Sequence, residues 1–324
     1  MTLLGAVSWM TFGDEDVLRA TARAASELRI PEIRTAFSWA DWERPGGREW
    51  YERFVGEFIG AGVKLVPCLF YTPVGKARTR PGMEEPKTSY PPERLEDYAD
   101  FTREMIARYG SAFDWIQLWN ESNWDVYWNW KMDPDWRIFA EMIGPAVGAA
   151  RDAGKKIVLG GLSPYDADWV DAMFGYGVLQ GGDALGLHAF PGTWDGEDGG
   201  RRKGRPWRGL DAEVGDARAQ MRSHGSRAEI WLTETGYSTF GKGEALAARE
   251  RGQIRYFDEL RRCSADRAYW YCVMDQRRDT PTDNELNAAL PNDEKAYHFG
   301  LLRSDGSPKP LYGYWRSLAA SGHC

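Results

Sequence analysis

Strand-like and helix-like segments alternate eight times along this 324-residue chain. Periodicity and turn residues predict strands at residues 3–8, 32–38, 63–70, 114–119, 156–160, 184–188, 229–233 and 268–273. They predict helices at 14–28, 48–59, 92–109, 134–153, 166–174, 210–223, 244–262 and 311–318. Eight such units in a chain of this size are typical of a closed (β/α)8 TIM barrel of the α/β class rather than of an open doubly wound sheet.

The lengths of the connections predict which end of the barrel carries a functional site. Helix-to-strand connections are short, as at residues 29–31, 60–62 and 154–155. Four strand-to-helix connections are long, at residues 71–91, 120–133, 189–209 and 274–310. Barrel enzymes place their active sites at this carboxyl end of the strands. No linker or change of composition marks a second domain, so we expect residues 1–324 to form one barrel.

Two predicted strands end in a glutamate on that face. The bulky residues 115–119 are followed by Asn120 and Glu121, and residues 229–233 are followed by Glu234. One acid at a strand end could simply face solvent or bind an arginine. A pair on one edge is what cleavage of a glycosidic bond requires, because one carboxyl protonates the leaving oxygen while the other attacks the anomeric carbon or activates water.

The composition argues against several other classes of protein. A formal net charge of -7 disfavours a broad binding surface for nucleic acid or anionic membranes. No apolar run approaches the roughly 20 residues of a membrane span. No basic region precedes the first strand, so we see no secretory signal and expect a cytoplasmic protein.

The sequence also gives no sign of a cofactor or a metal. The glycines do not form GxGxxG after the first strand, which argues against dinucleotide binding. The four cysteines lack CxxC spacing, which suggests reduced thiols. The four histidines lack metal-ligand spacing; they are His188, His224, His298 and His323. We therefore expect neither a cofactor nor a catalytic metal.

Three stretches together resemble the clan A retaining glycoside hydrolases, and most of all the family of β-xylosidases and α-L-iduronidases. They are Trp119-Asn120-Glu121 after the fourth strand, Thr233-Glu234-Thr235-Gly236 after the seventh, and the tail at residues 299–310. The resemblance spans nearly the whole chain. It implies a (β/α)8 barrel that cleaves a glycosidic bond by double displacement.

The resemblance also implies a role for each matching residue. Glu121 matches the general acid/base, and Glu234 matches the nucleophile. Asn120 matches the residue that binds the sugar 2-hydroxyl. Arg34 resembles an arginine that keeps the nucleophile ionised, and His188 fits a position that contacts substrate or a catalytic carboxylate. The last two could instead be structural, as a salt bridge within the barrel and a buried core histidine.

Aromatic residues near the site leave two questions open. Some clan members carry an aromatic hydroxyl two residues after the histidine, where this chain has Phe190, so Tyr237 or Tyr271 would have to supply it. Trp270 and Tyr271 point to opposite sides of the eighth strand, so only one of them can face the site. We expect Trp270 to lie under the sugar, with core packing as the alternative.

The two carboxyl groups must differ in protonation. We predict that apolar surroundings and the charge of Glu234 raise the pKa of Glu121, while Arg34 and hydrogen bonds hold Glu234 ionised. Retention further predicts carboxyl groups about 5 to 5.5 Å apart, whereas roughly 6.5 Å or more would indicate inversion.

The loops give a weaker indication of the substrate. The chain has 16 Trp, and aromatic side chains in loops either bind sugar rings or pack the loops against the scaffold. We expect Trp124 and Trp128 to contact substrate as part of a pocket wall in the loop after the fourth strand that comprises Trp124, Tyr127, Trp128, Trp130 and Trp136. A basic loop after the sixth strand could receive an anionic substrate group but is more simply a solvated charged loop; it contains Arg201, Arg202, Lys203, Arg205 and Arg208.

These features predict a retaining glycoside hydrolase that acts on a terminal or short-oligosaccharide bond, with a carbohydrate substrate and no nucleic-acid or membrane partner. A transglycosylase would share every residue named and differ only in the acceptor. A non-catalytic carbohydrate-binding barrel would need the aromatic residues but not both acids.

Overall fold

Eight parallel strands close into a barrel in chain order. The computed structural model describes residues 2–80, 85–194, 207–277 and 293–322. The strands are β1 (Leu3–Ser8), β2 (Glu32–Ser38), β3 (Lys64–Phe70), β4 (Trp115–Leu118), β5 (Lys156–Leu162), β6 (Ala184–Ala189), β7 (Glu229–Thr235) and β8 (Arg267–Tyr271). β1 pairs with both β2 and β8, which closes the sheet. The predicted (β/α)8 barrel is confirmed.

Helices follow the strands around the outside of the barrel. They are α1 (Glu15–Glu27), α2 (Trp39–Trp42), α3 (Gly47–Gly60), α4 (Glu96–Tyr109), α5 (Arg137–Asp152), α6 (Ala167–Gly175), α7 (Leu210–Ser223), α8 (Gly243–Leu260) and α9 (Pro310–Ala320). Of the helices in the described ranges, none is both long and apolar enough to cross a bilayer.

Local hydrogen bonds explain where the helices depart from the predicted bounds. The short helix α2 was not predicted; the hydroxyl of Ser38 caps it by accepting the Asp41 amide N–H at 3.0 Å. Helix α5 begins at Arg137 rather than at residue 134, because the Asp133 carboxylate accepts the amide N–H groups of Ile138 at 2.9 Å and Phe139 at 2.8 Å.

Large side chains fill the amino-terminal end of the barrel. The inward-facing core there includes Val7, Val66, Trp115, Val158, Ala184, Trp231 and Tyr269. The Arg267 guanidinium stacks on the rings of Trp115 and Trp231, at 4.8 and 4.5 Å from their centroids. Glu32 neutralises it with a contact of 2.7 Å. Because this end is packed, a ligand must enter from the carboxyl end of the strands.

Much of the tryptophan content serves packing. Seven tryptophans are less than 2% exposed; they are Trp39, Trp119, Trp128, Trp169, Trp231, Trp270 and Trp315. Their indoles fill the layer between strands and helices or the interior of the barrel. For these residues the packing alternative, not sugar binding, accounts for the aromatic side chain.

A buried ion pair holds the tail of the chain to the loops after β7 and β8. Lys309 Nζ donates to Asp275 Oδ1 at 2.7 Å, to Thr239 Oγ1 at 2.9 Å and to the His298 carbonyl at 3.0 Å. Asp275 Oδ1 also accepts the Gly300 amide N–H at 2.6 Å. Lys309 and Asp275 are 3% and 7% exposed, so neither charge has much access to water.

We expect Lys309→Met to lower the free energy of unfolding by about 3 to 5 kcal/mol, because the change leaves the Asp275 carboxylate buried without its cation. Urea denaturation at pH 7 measures the effect. Lys64→Met is the matched control, since Lys64 pairs with Asp114 while their side chains are 61% and 66% exposed. Its expected effect is below about 1 kcal/mol. Equal losses in the two variants would contradict a stabilising role for the buried pair.

Candidate active site

The Arg34 guanidinium lies inside the barrel, fully buried, and binds three side chains from two other strands. Its Nη1 donates to Glu234 Oε1 at 2.7 Å, its Nε to Gln117 Oε1 at 2.7 Å, and its Nη2 to Asn120 Oδ1 at 2.6 Å. In β2 the preceding residue, Ile33, packs outward beneath the helices, so strand alternation directs Arg34 inward. One cation therefore joins β2 to the carboxyl ends of β4 and β7.

His188 lies between the two glutamates. Its Nδ1 is 2.6 Å from Glu121 Oε1, and its Nε2 is 3.8 Å from Glu234 Oε1. One oxygen of each glutamate and one ring nitrogen of His188 all lie within 4.8 Å of one another. Glu121 and Glu234 are only 5% and 6% exposed. The structure thus brings together Arg34, Asn120, Glu121, His188 and Glu234, all of which the sequence analysis singled out.

The same three groups are possible metal ligands by type. The Glu234 oxygen, however, already binds the Arg34 guanidinium at 2.7 Å. A metal ion beside that oxygen would be repelled by the buried positive charge. The charge balance of the cluster therefore favours an arginine–carboxylate site over a metal centre.

A β-bulge in β7 turns Glu234 into the barrel. Leu232 packs outward beneath the helices, so strict alternation would send Glu234 outward as well. The register shifts between Leu187, which lies opposite Leu232, and His188, which lies opposite Glu234. Thr233 is the extra residue on β7, and inserting it re-aims the next side chain. The bulge thereby places Glu234 beside His188.

Backbone strain collects at the same ends of the strands. Three residues other than glycine have a left-handed backbone there: Tyr71 with φ 65°, Trp119 with φ 70° and Glu121 with φ 44°. Each costs about 1 to 3 kcal/mol and persists only where the surroundings fix it. The Trp119 amide N–H donates to the Leu69 carbonyl at 2.9 Å, and this hydrogen bond holds the backbone of Trp119 in place. The turn at Trp119 sends its ring into the core and leaves Asn120 facing Arg34.

Opposing effects set the protonation of Glu234. The net result is a raised pKa of the Glu234 carboxyl, because burial, the largest cause, outweighs Arg34 and a hydrogen bond from Trp9, which lower the pKa by stabilising the anion. Trp9 also lies over the Arg34 guanidinium, 4.8 Å from Cζ to the ring centroid. Cys68, 3.7 Å from Arg34 Nη2, does not compete as an anion because burial raises the pKa of its thiol to about 12. Arg34 therefore has Glu234 as its anionic partner in this cluster.

Sequence reasoning missed two residues of this cluster. Gln117 binds Arg34 with its Oε1 while its Nε2 donates to the Trp119 carbonyl at 2.9 Å, which fixes the amide. The available signal was a polar residue in the middle of an apolar strand, on the same face as Trp115. Trp9 comes directly after β1 on the open end of the barrel, and that position was its signal.

The expectation that Trp270 faces the site is wrong. Trp270 is fully buried and packs outward against Tyr256 and Phe257 of α8, with centroid distances of 6.0 and 5.9 Å. Tyr271 lies on the opposite side of β8 and lines a cleft at the carboxyl end. Because successive side chains of a strand point to opposite faces, the packing of Trp270 against α8 leaves Tyr271 facing the inside of the barrel.

Two further expectations, that Trp128 contacts substrate and that the Tyr237 hydroxyl contacts Glu234, do not agree with the structure. Trp128 is fully buried, and its indole N–H donates to Asp133 Oδ2 at 2.9 Å, so it belongs to the core. The Tyr237 ring lies against Gly192 and Gly252, with the Arg249 guanidinium 5.3 Å from its centroid, rather than against Glu234.

Other predicted loop residues have mixed outcomes. Trp124 is half-buried and packs edge-on against Tyr127 at 5.8 Å, beside the cleft. Arg208 pairs with Asp216 on the surface. The remaining basic residues of the loop after β6 lie outside the described residues; they are Arg201, Arg202, Lys203 and Arg205.

A cleft of about 920 Å³ opens at the carboxyl end of the strands. Glu121 and Glu234 are not among its lining residues, but Trp9, which donates a hydrogen bond to Glu234, is. The inner wall of the cleft is aromatic, with Trp9, Phe70, Tyr71, Tyr127 and Tyr271 among the lining residues. Burial raises the pKa of the Tyr127 and Tyr271 hydroxyls, and the negative charges of Glu121 and Glu234 contribute to this rise, so both rings lie near the two glutamates. Such a cleft is at the upper end of the roughly 300 to 1,000 Å³ found for small-molecule sites.

Comparison with known proteins identifies similar structures but no similar sequence. Neither a protein-family model nor a curated protein matches the chain. A family 39 glycoside hydrolase from Bacteroides cellulosilyticus WH2 has 17% identity and a TM-score of 0.69, over 98% of this chain and 63% of that one. An exo-β-1,4-mannosidase from Opitutaceae bacterium strain TAV5 has 18% identity and a TM-score of 0.67, over 100% and 60%.

A β-galactosidase from the psychrophilic Marinomonas ef1 is also similar, with 16% identity and a TM-score of 0.64, over 99% of this chain and 59% of that one. This chain thus spans about three fifths of the length of each of the three proteins. At these identities the similarity shows a shared fold. The chain has the barrel that these glycoside hydrolases have.

Proposed function

We propose that this chain is a catalytic (β/α)8 barrel of the clan A type that hydrolyses a terminal or short-oligosaccharide glycosidic bond with retention of configuration. The observation that carries the proposal is the spacing of Glu121 and Glu234: one oxygen of each lies within 4.8 Å of the other, at the carboxyl ends of β4 and β7. An oxygen-to-oxygen approach within 4.8 Å fits the roughly 5 to 5.5 Å between the carboxyl groups of retaining enzymes better than the roughly 6.5 to 9.5 Å of inverting ones.

The surroundings of each acid support its role. Glu234 is the nucleophile, because the Arg34 guanidinium 2.7 Å away and the Trp9 indole N–H both favour its anion. Glu121 is the acid/base, because His188 Nδ1 is 2.6 Å away and can exchange a hydrogen bond with it in either protonation state.

In the first step, Glu121 gives its proton to the glycosidic oxygen as the bond from that oxygen to the anomeric carbon breaks. A Glu234 oxygen forms the new bond to the anomeric carbon. In the second step, water attacks that carbon, Glu121 takes the water proton, and Glu234 leaves as a carboxylate. In this proposal the Asn120 amide, whose Oδ1 accepts a hydrogen bond from Arg34 Nη2 at 2.6 Å, binds the sugar 2-hydroxyl through both steps.

The aromatic inner wall supports a carbohydrate substrate, since rings of this kind pack against the apolar faces of sugars. One similar structure is an exo-β-1,4-mannosidase and another is a family 39 glycoside hydrolase. A β-xylosidase-like action on a terminal sugar is our specific proposal, and the identity of that sugar is decided by a panel of substrates.

Hydrolysis of aryl β-xyloside, β-glucoside, β-galactoside, α-L-arabinoside and a uronide tests the proposal. We expect wild type to cleave one of them and Glu121→Ala and Glu234→Ala to lose roughly 10²- to 10⁴-fold in rate. Azide should restore turnover by entering the space left by each carboxylate. The glycosyl azide should have retained configuration with Glu121→Ala and inverted configuration with Glu234→Ala, because azide replaces water in one variant and the nucleophile in the other.

Glu229→Ala is the control, since Glu229 lies at the opposite end of the same strand, away from the cleft. We expect it to retain wild-type rates. Cleavage of no glycoside by wild type, or the same azide product from both variants, would contradict the proposal. An added acceptor sugar that receives the glycosyl group would identify a transglycosylase instead.

The Glu234 environment also predicts a pH dependence. Glu234 must be ionised to attack, so kcat/KM falls as the pH drops through its pKa, which burial raises. Trp9→Phe removes one donor to the anion and should move this acid limb upward by about one to two pH units, since a hydrogen bond to a charged group is worth roughly 1.5 to 3 kcal/mol.

Trp42→Phe is the matched control for this shift. Trp42 also donates its indole N–H to a glutamate, Glu104 Oε2 at 3.2 Å, but far from the catalytic acids. We expect its pH profile to coincide with that of wild type. An unchanged or downward-shifted acid limb in Trp9→Phe would contradict the assignment of Glu234 as the ionised nucleophile.

A further inference from the structure

Beyond the aromatic inner wall, the cleft continues between the loop after β1, helix α2 and the loop after β3. We call this part the outer cleft and define it by five lining residues: Phe12, Asp41, Glu43, Arg44 and Lys76. Two of its residues are acids and two are cations. The outer cleft is therefore strongly polar but carries no net formal charge.

The charges of the outer cleft are arranged as neighbouring pairs. Arg44 Nη1 lies 3.2 Å from Asp41 Oδ1, and its guanidinium covers the Phe12 ring at 4.9 Å. Lys76 Nζ lies 3.9 Å from Glu43 Oε1 and 3.7 Å from Asp97 Oδ2. Each cation is thus paired with at least one acid.

The residues of the outer cleft come later in their loops, after the strand ends, than the residues of the inner wall do. Trp9 directly follows β1 and Tyr271 ends β8, so both stay at the rim of the barrel. Phe12 comes four residues after the end of β1, and Arg44 comes six residues after the end of β2. The stacking of Arg44 on Phe12 holds the loop after β1 against the end of α2.

We propose that the outer cleft binds a second, uncharged sugar unit, so that the preferred substrate is a neutral oligosaccharide rather than a simple monosaccharide glycoside. This rests on the proposed function for the position of the bond that is cleaved. Paired guanidinium and carboxylate groups offer the donors and acceptors that sugar hydroxyls use, and Phe12 offers an apolar face. Arg44 and Lys76 are each already paired with an acid, so the attraction that they offer to a uronic acid or a phosphate is reduced.

Equilibrium binding tests the proposal separately from catalysis. The background is Glu121→Gln, which prevents turnover, and the probes are xylo-, cello- and manno-oligosaccharides from one to four sugars, with oligogalacturonides as the anionic set. Calorimetry gives the affinities. We expect affinity for one neutral series to rise about tenfold or more beyond the monosaccharide, as charged hydrogen bonds to one added sugar would give. Adding Arg44→Met should abolish this rise and leave monosaccharide affinity unchanged.

Arg48→Met in the same background is the matched control. Arg48 also stacks on an aromatic ring, Trp42 at 5.3 Å, and pairs with an acid, Glu104 at 3.5 Å, but it does not line the cleft. The rise with chain length should persist in this variant.

Three outcomes would overturn the inference: no rise with length for any neutral series, a rise that survives Arg44→Met, or binding of the oligogalacturonides alone. A length-dependent affinity that Arg44→Met abolishes, together with no hydrolysis of the same oligosaccharides by wild type, would support the outer cleft while contradicting the proposed hydrolysis. Hydrolysis of aryl glycosides, together with affinities that do not depend on oligosaccharide length, would support the proposed hydrolysis and contradict sugar binding in the outer cleft.

Discussion

The burial of the Arg34 guanidinium is the constraint on which the site depends. A cation excluded from water costs several kcal/mol unless its donors are satisfied and a counter-charge is near. Here the counter-charge is Glu234, and the remaining donors are satisfied by the amide oxygens of Gln117 and Asn120. Two of the residues that balance this charge, Asn120 and Glu234, have a role in the proposed mechanism, and Arg34 leaves them little freedom to move. Pre-organisation of this kind is how a site avoids reorganising during reaction.

The same end of the barrel departs from regular strand geometry. The bulge at Thr233 and the left-handed backbones of Trp119 and Glu121 depart from regular strand geometry. Packing at the other end of the barrel, where Trp115 and Trp231 enclose a neutralised arginine, is regular and dense. The barrel therefore separates the two tasks: one end supplies stability, and the other is strained so that particular side chains point inward.

The cleft divides in a similar way. Its inner wall is made of rings that suit one sugar face, and its outer cleft is made of paired charges that suit hydroxyl groups. Because Asp41 with Arg44 and Glu43 with Lys76 cancel in charge, this part of the protein favours a neutral ligand although the chain as a whole is acidic. Local pairing, and not net charge, sets the selectivity of such a surface.

The sequence by itself determined the barrel, because eight alternating segments of suitable length leave few other ways to bury the apolar faces. It also determined which strand ends carry Glu121, Glu234 and His188, since parallel strands bring their carboxyl ends to one edge, and that Arg34 lies within β2. Tertiary structure decided what alternation could not: that a bulge turns Glu234 inward, that the turn at Trp119 frees Asn120, and that Trp270 packs against α8. The physical reason is that the direction of a side chain at an irregular strand end depends on the register and helix layer around it, which are non-local.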